Sequence, residues 1–186
     1  MRLVRTLLVL LPLLVAAPAR AQEGQFLSEA EAPKAVFPDA DAVTRTDVAV
    51  TPALREQVEA RLEGTHPSIW ESQWVVFKVQ HGATLLGHAL VVEEIGKHQP
   101  ITFVVGLRPD GRVADVAVMA YREAYGGEIA SKRFLKQYAG KKPGADLRSP
   151  GGIQNVAGAT LSVEAAGRAV HKAQAIAAAL DAEPAT

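Results

Sequence analysis

The chain has 186 residues, no cysteine, and 20 basic residues against 20 acidic ones. The absence of cysteine excludes disulfides, thiolate metal sites and cysteine nucleophiles. The balanced charge lacks the basic bias of nucleic-acid-binding proteins, so no nucleic-acid partner is expected. A chain of this length can bury a core of its own, which favours one globular domain.

The first residues are typical of a secretory signal peptide. Arg2 and Arg5 precede an apolar run over residues 7–17, and a small-residue cleavage site ends before Gln22. The run is short for a bilayer, so a retained anchor is only the alternative. We therefore predict a cleavable signal peptide over residues 1–21 and a periplasmic or exported protein. Cleavage would leave 17 basic against 20 acidic residues, a net charge of −3.

The next segment, residues 22–50, is rich in Ala, Pro, Glu and Asp without a sustained period, which predicts a flexible lead-in. Thr51-Pro52 then combines an N-cap residue with proline at the first helical position, so a short amphipathic helix is expected. Three apolar residues recur at helical spacing: Leu54, Val58 and Leu62. We predict one domain over residues 51–182.

Four segments rich in β-branched and aromatic residues predict strands. They comprise residues 74–80, 84–92 and 101–107 and the alternating residues Val113, Val116 and Val118. Turn signals at His81-Gly82 and Pro109-Asp110-Gly111 separate neighbouring strands by short connections. The sheet is therefore expected to be an antiparallel meander.

The second half of the chain combines loops with helices. Residues 121–127 predict a loop because two adjacent glycines end them, and residues 129–138 are helical in pattern before Gly140. A long final helix is expected to begin near residues 160–162. Its apolar face consists of Ala166, Ala169, Val170, Ala173, Ile176, Ala177 and Leu180. The predicted fold class is α+β, with helices packed on the antiparallel sheet.

The segment before the final helix, residues 153–162, is a neck of small residues at a helix N-terminus. Gly158 and Ala159 leave space above the backbone, and the free N–H groups and dipole of a helix start favour a bound phosphate. The hydroxyl of Thr160 could also be esterified there. An ordinary N-cap explains the same residues, so the residues alone leave both interpretations open.

This neck resembles the C-terminal motif of FMN-binding domains. That family includes FMN-carrying subunits of the Rnf and sodium-translocating NADH:quinone reductase complexes and periplasmic flavin carriers. Its Gly-Ala-Thr motif is matched by residues 158–160. Residues 96–103 and 109–113 resemble the family's strand–turn–strand unit, and residues 121–126 resemble its His/Tyr-x-Glu-x-x-Gly loop.

The resemblance implies an FMN cofactor, attached to Thr160 through a phosphoester that a dedicated flavin transferase makes. It implies cofactor contacts around the attachment point at Gly158, Ala159, Leu161 and Ser162. It also implies that Glu123, Tyr125 and Gly126 border the isoalloxazine ring, Gly126 by permitting close approach and Tyr125 by stacking. A buried position at the sheet edge is the alternative for Tyr125.

The leading hypothesis is an exported electron-transfer flavoprotein with a membrane or periplasmic redox partner, a carrier with no catalytic residue of its own. Ala157, Gln154 and Val163 replace a hydroxyl residue, an aspartate and a hydroxyl residue of the family pattern. They favour the alternative of a cofactor-less interaction module of the same fold. A noncovalent flavin reductase is a third hypothesis, although no Gly-x-Gly-x-x-Gly fingerprint is present.

Other candidate sites are explained without a ligand. A second Gly-Ala-Thr, at residues 82–84, fits a hairpin turn. No metal site is expected, because the histidines share no metal-ligand spacing. They are His66, His81, His88, His98 and His171. A basic cluster could steer an acidic redox partner or contact a phosphate, but a solvated helix face has the same pattern. Its members are Lys132, Arg133, Lys136, Lys141 and Lys142.

Overall fold

The computed structural model describes residues 24–62 and 64–182. The predicted signal peptide and its cleavage site lie outside the described residues. The elements are β1 (Gly24–Gln25), α1 (Ala32–Val36), β2 (Ala42–Ala49), α2 (Pro52–Glu59), β3 (Gln73–His81), β4 (Thr84–Ile95), β5 (Pro100–Leu107), β6 (Val113–Tyr121), α3 (Lys132–Leu135) and α4 (Thr160–Ala182). Within the described ranges, none of the helices has the length and apolar character needed to span a membrane.

The six strands form one antiparallel sheet in the order β1-β6-β5-β4-β3-β2. The four predicted strands are β3 to β6, and they follow one another as a meander. Gly82 and Gly111 have φ of 55° and 77° in the two tight turns, a backbone conformation that glycine adopts without strain. The α+β prediction is confirmed, and the second Gly-Ala-Thr lies at the predicted hairpin, with Gly82 and Ala83 in the turn and Thr84 at the start of β4.

One face of the sheet is covered by α4 and α2. Small residues of α4 are fully buried, among them Ala166, Ala169 and Ala173, and they let the helix lie close to the strands. Thr51 caps α2 by accepting a hydrogen bond from Leu54 N at 3.2 Å, as its sequence predicts. The central strand β5 is buried on both faces, which explains its continuous apolar sequence.

The opposite face is covered by residues that the sequence predicts as a flexible lead-in. Here the structure differs, because β1, α1 and β2 are ordered elements. Val36 and Phe37 are 3% and 7% exposed, and they pack in a second hydrophobic cluster with Phe77 and Val104 of the sheet. The composition of the segment conceals this role because its apolar residues are spaced without a sustained period among alanine, proline and acidic residues.

The predicted helix over residues 129–138 is interrupted in the structure. Ser131 adopts an extended conformation, with φ −67° and ψ 136°, and caps α3 by accepting from Phe134 N. Short 3-10 turns, Gly127–Ala130 and Lys136–Tyr138, flank α3. Serine favours this break because its side chain satisfies an N–H group at a helix start.

A buried ionic network, absent from the sequence prediction, fixes α4 to the sheet. Lys172 is fully buried and donates hydrogen bonds to Glu71, at 3.0 and 3.2 Å, and to two backbone carbonyls. Glu94 is also fully buried: one carboxylate oxygen accepts from Arg168 Nε at 3.1 Å, and the other lies 3.1 Å from Lys172 Nζ. Two cations thus balance two carboxylates at the junction of α4 and β4.

Candidate functional site

The site is built around the first turn of α4. The helix begins at Thr160, and the carbonyl of Ala159 accepts its first backbone hydrogen bond, from Val163 N at 2.9 Å. Ala159 therefore occupies the N-cap position, where Ser, Thr, Asp or Asn would supply a side-chain acceptor. Because alanine supplies none, the N–H groups of the first turn remain suited to an external anion.

Thr160 presents its hydroxyl at this exposed helix start. Its Oγ1 accepts a hydrogen bond from Asn155 Nδ2 at 2.8 Å. The side-chain oxygen of Asn155 in turn accepts from Val156 N at 2.9 Å, which fixes the orientation of the amide. The hydroxyl is thus oriented by a neighbouring side chain while it remains accessible from solvent.

A cavity of about 510 Å³ opens beside Thr160. It is larger than the groove of about 360 Å³ that His66 and His171 line farther along α4. Its volume lies in the range of small-molecule sites. The cavity brings together seven of the eight residues predicted to bind the cofactor: Glu123, Tyr125, Gly158, Ala159, Thr160, Leu161 and Ser162.

The mouth of the cavity carries two large exposed apolar side chains. Tyr125 is 71% exposed and Leu161 is 46% exposed. Both line the cavity, one from the loop after β6 and the other from the first turn of α4. The alternative of a buried position for Tyr125 is therefore wrong, and its ring is available to a ligand.

The eighth predicted residue, Gly126, lies behind the cavity wall and is not part of its lining. It has φ of 87°, and a Cβ added there would lie 2.8 Å from the Tyr121 hydroxyl and 3.1 Å from Ala159 Cβ. Only glycine fits at this position, because its φ is positive and because a side chain would collide with Tyr121 and with the start of α4. Gly126 thus sets the distance between the loop and the helix start.

Tyr121, the first residue of the loop motif, joins the same two segments, although the sequence assigns it no role at the site. Its buried hydroxyl donates to the carbonyl of Tyr125 and lies 3.2 Å from Ser162 Oγ. Since the phenol has one proton, Ser162 is the donor in the second contact. Burial raises the pKa of Tyr121, which keeps the phenol protonated. Ser162 is thereby engaged in holding the loop.

Glu123 lines the cavity, but its carboxylate is directed at backbone. Its Oε1 accepts hydrogen bonds from the N–H groups of His98 and Gln99, at 2.5 and 3.0 Å, in the turn between β4 and β5. Burial raises the pKa of Glu123, but hydrogen bonds from residues 97–99 and the charge of His98 outweigh it. The net pKa is lowered, so the group is ionised at neutral pH.

The turn between β4 and β5, residues 96–99, is held by Glu123 and is called the clamped turn here. It contributes two lining residues that the sequence does not predict. Lys97 and His98 line the cavity together with the first residues of α4. They lie in the stretch that resembles the family's strand–turn–strand unit, but nothing in the spacing assigns them a role. Their position adds donors, and with Lys97 a positive charge, to a cavity that already contains a helix N-terminus.

The remaining candidate groups lie elsewhere. None of the basic cluster lines the cavity, and Lys141 Nζ donates to the carbonyl of Gly152 at 3.1 Å. Among the described residues, no group of three or more His, Asp or Glu is arranged to hold a metal ion. Of the three departures from the family pattern, Val163 is fully buried, whereas Gln154 and Ala157 are exposed just before the helix.

Comparison with known proteins identifies one family. The model of the FMN-binding domain matches residues 96–175, from the clamped turn to the middle of α4. No curated protein matches the chain. The matched segment contains every residue that lines the cavity.

Proposed function

We propose that this protein is an exported electron-transfer flavoprotein with FMN linked to Thr160, because the model of the FMN-binding domain, whose cofactor is FMN, matches residues 96–175. The linkage is a phosphoester between the flavin phosphate and Thr160 Oγ1. The observation that carries this proposal is the exposed, oriented hydroxyl of Thr160, at a helix start that opens on a cavity of about 510 Å³.

The residues at the site fit the two ends of FMN. The first turn of α4 would bind the phosphate through N–H groups that its alanine N-cap leaves without a side-chain acceptor. Tyr125 and Leu161 would contact the apolar ring at the mouth of the cavity. Lys97 would supply positive charge in the cavity lining.

The chain's own residues have modest tasks in this function. Bound FMN supplies one-electron and two-electron transfer. Glu123 holds the turn that carries Lys97 and His98, and Asn155 orients the threonine hydroxyl. Tyr121 and Gly126 hold the loop against α4. We therefore propose an electron carrier and assign no catalytic residue.

The proposal requires two partners and a compartment. A flavin transferase would modify Thr160, which its exposure permits. A membrane or periplasmic redox partner would approach the open mouth beside Tyr125. A covalent bond suits an exported protein, since a flavin lost outside the cytoplasm has no ready replacement there.

Mass spectrometry of the protein produced with its export signal and a flavin transferase tests the linkage. The peptide that contains Thr160 should gain the mass of FMN less one water, and Thr160→Ala should abolish the gain. Thr84→Ala is the matched control, because Thr84 ends the same Gly-Ala-Thr tripeptide but lies at the start of a strand, directly after a hairpin turn. It should leave the modification unchanged.

An absorption spectrum distinguishes the proposal from its alternatives. Flavin absorbance that stays with the denatured protein after small molecules are removed supports the linkage. Absorbance that separates from the denatured protein supports noncovalent binding. A colourless, unmodified protein would contradict the proposal and favour the interaction module suggested by Ala157 and Gln154. Turnover of NAD(P)H by the purified protein alone would instead support a reductase.

A further inference from the structure

The strand β2 forms a long, exposed edge of the sheet. It is paired with β3 on one side, and no strand lies along its other side in residues 24–62 and 64–182. Seven of its eight residues are exposed, including Val43 at 42%. Its pairing with β3 is regular, without a bulge. Such an edge is a template for another strand.

The direction of the free hydrogen-bonding groups follows from the register. Val50 N donates to the carbonyl of Ser72 at 3.0 Å, and this bond continues the register in which Ala49 opposes Gln73. In an antiparallel pair, hydrogen-bonded and non-hydrogen-bonded positions alternate. The even-numbered residues of β2 therefore bond to β3. The odd-numbered residues of its centre direct their N–H and C=O groups to the free edge: Val43, Arg45 and Asp47.

We propose that a second copy of this chain binds this edge, by antiparallel pairing of β2 with β2 about a two-fold axis. The free groups allow three central registers, because odd-numbered residues must oppose odd-numbered residues. One register opposes Arg45 to Arg45, and another opposes Asp47 to Asp47. The third has its axis at Thr46 and opposes each Arg45 to Asp47 of the second copy.

Charge selects the third register. Like charges directly opposite one another on a sheet are destabilising, whereas opposite charges attract. Arg45 and Asp47 already form an exposed ion pair at 2.8 Å within one chain, and Arg45 also contacts Glu29 at 3.0 Å. In the dimer each Arg45 lies between its own Asp47 and that of the second copy. The register adds two cross-strand ion pairs and leaves no charge unpaired.

The composition of β2 also favours pairing. Natural edge strands are often protected by proline, by bulges or by charged side chains. Within its eight residues β2 has no proline and no glycine, and four are β-branched: Val43, Thr44, Thr46 and Val48. Its two charges have opposite signs, so they disfavour two registers and permit one. The sequence of β2 therefore favours pairing with a second copy and favours one register of that pairing.

Cross-linking tests the register, because the native chain has no cysteine. Thr46→Cys would place two thiols at a non-hydrogen-bonded pair, with Cα atoms about 4.5 Å apart, and this separation permits a disulfide. Thr44→Cys is the matched control: Thr44 opposes Val48, so the two introduced thiols lie about 14 Å apart. Mild oxidation should convert most of the Thr46→Cys protein to covalent dimer and none of the Thr44→Cys protein above background.

Charge reversal tests the selection independently by sedimentation velocity. Arg45→Asp alone and Asp47→Arg alone each oppose like charges, so each should weaken the dimer about tenfold or more. A mixture of the two variants should form a heterodimer, because both aspartates of one variant then oppose both arginines of the other. The double variant with both changes should recover the homodimer. Recovery in the mixture also shows that both single variants are folded.

Three results would overturn the proposal. The first is a wild-type protein that stays monomeric at about 0.1 mM, where even a weak dimer assembles. The second is equal cross-linking at positions 44 and 46. The third is a dimer that neither single charge reversal affects. The flavin content of the protein does not enter these measurements, so they are independent of the proposed function.

Discussion

Glu123 lies where the resemblance predicts it, but its side chain has a different role from the one predicted. The sequence resemblance places it at the cofactor, and the structure does place it in the cavity wall. Its carboxylate, however, accepts hydrogen bonds from the backbone N–H groups of His98 and Gln99, in the turn between β4 and β5. Gly96 permits this contact, because a Cβ there would lie 2.9 Å from Glu123 Oε1. A motif residue can thus support a site by holding the backbone that forms it.

The lowered pKa of Glu123 predicts a pH-dependent contribution to stability. A group whose pKa is lower in the folded protein stabilises it above the unfolded pKa, near 4.5, and loses that effect as pH falls through the folded pKa. Glu123→Gln should lower the free energy of unfolding by about 1–2 kcal/mol at neutral pH. The loss should shrink in acid.

Urea denaturation at pH 7 and in acid measures this difference. Glu128→Gln is the control, because Glu128 is exposed on the neighbouring turn. It should change stability little at either pH. An equal loss for Glu123→Gln at both pH values would show that the charge of the carboxylate is not what holds the turn.

The helices α2 and α4 cover the same face of the sheet, but their sequences predict their contacts to different extents. The cap and apolar spacing of α2 are local signals, and both are confirmed. The small-residue face of α4 is also readable from its period. The partners of Lys172 cannot be predicted from the helical period, because Glu71 and Glu94 are about 100 and 78 residues away in the chain. A lysine within a helical pattern is normally assigned to solvent.

Lys172→Met should therefore destabilise the protein strongly. Removal of one partner from a buried ion pair leaves uncompensated charge, here on Glu94 and Glu71, and typically costs about 3–5 kcal/mol. Glu59→Gln breaks an exposed pair with Arg55 and should cost less than about 1 kcal/mol. Chemical denaturation of both variants gives the comparison. Similar small losses would mean that water or other groups satisfy the carboxylates.

At the scale of the whole molecule, the largest departure from the sequence prediction concerns residues 24–50, the described part of the predicted lead-in. It covers one face of the sheet with Ala32, Val36 and Phe37, so the chain has hydrophobic clusters on both sides of its strands. The family match begins at residue 96 and therefore omits this segment. The protein depends for its core on residues outside the matched region.

Truncation of one side chain measures this dependence. Phe37→Ala should lower the free energy of unfolding by about 3 kcal/mol, because Phe37 is 7% exposed and packs on the sheet. Phe26→Ala removes the same atoms from a side chain that is 39% exposed, and it should cost within about 1 kcal/mol. Thermal or urea unfolding compares the two. Equal losses would contradict a structural role for the segment around α1.

Local signals in the amino-acid order are enough to predict the features that depend on neighbours along the chain. The strands of the meander, their glycine turns, the cap of α2 and the small neck before Thr160 all follow from spacing and backbone preference. The folded chain alone shows which residues meet over long separations. Lys97 and His98 line the same cavity as the start of α4, Glu123 is directed to backbone, Lys172 pairs with two distant carboxylates, and the lead-in packs on the sheet. Those contacts depend on how the faces of the sheet pack, and no local pattern encodes them.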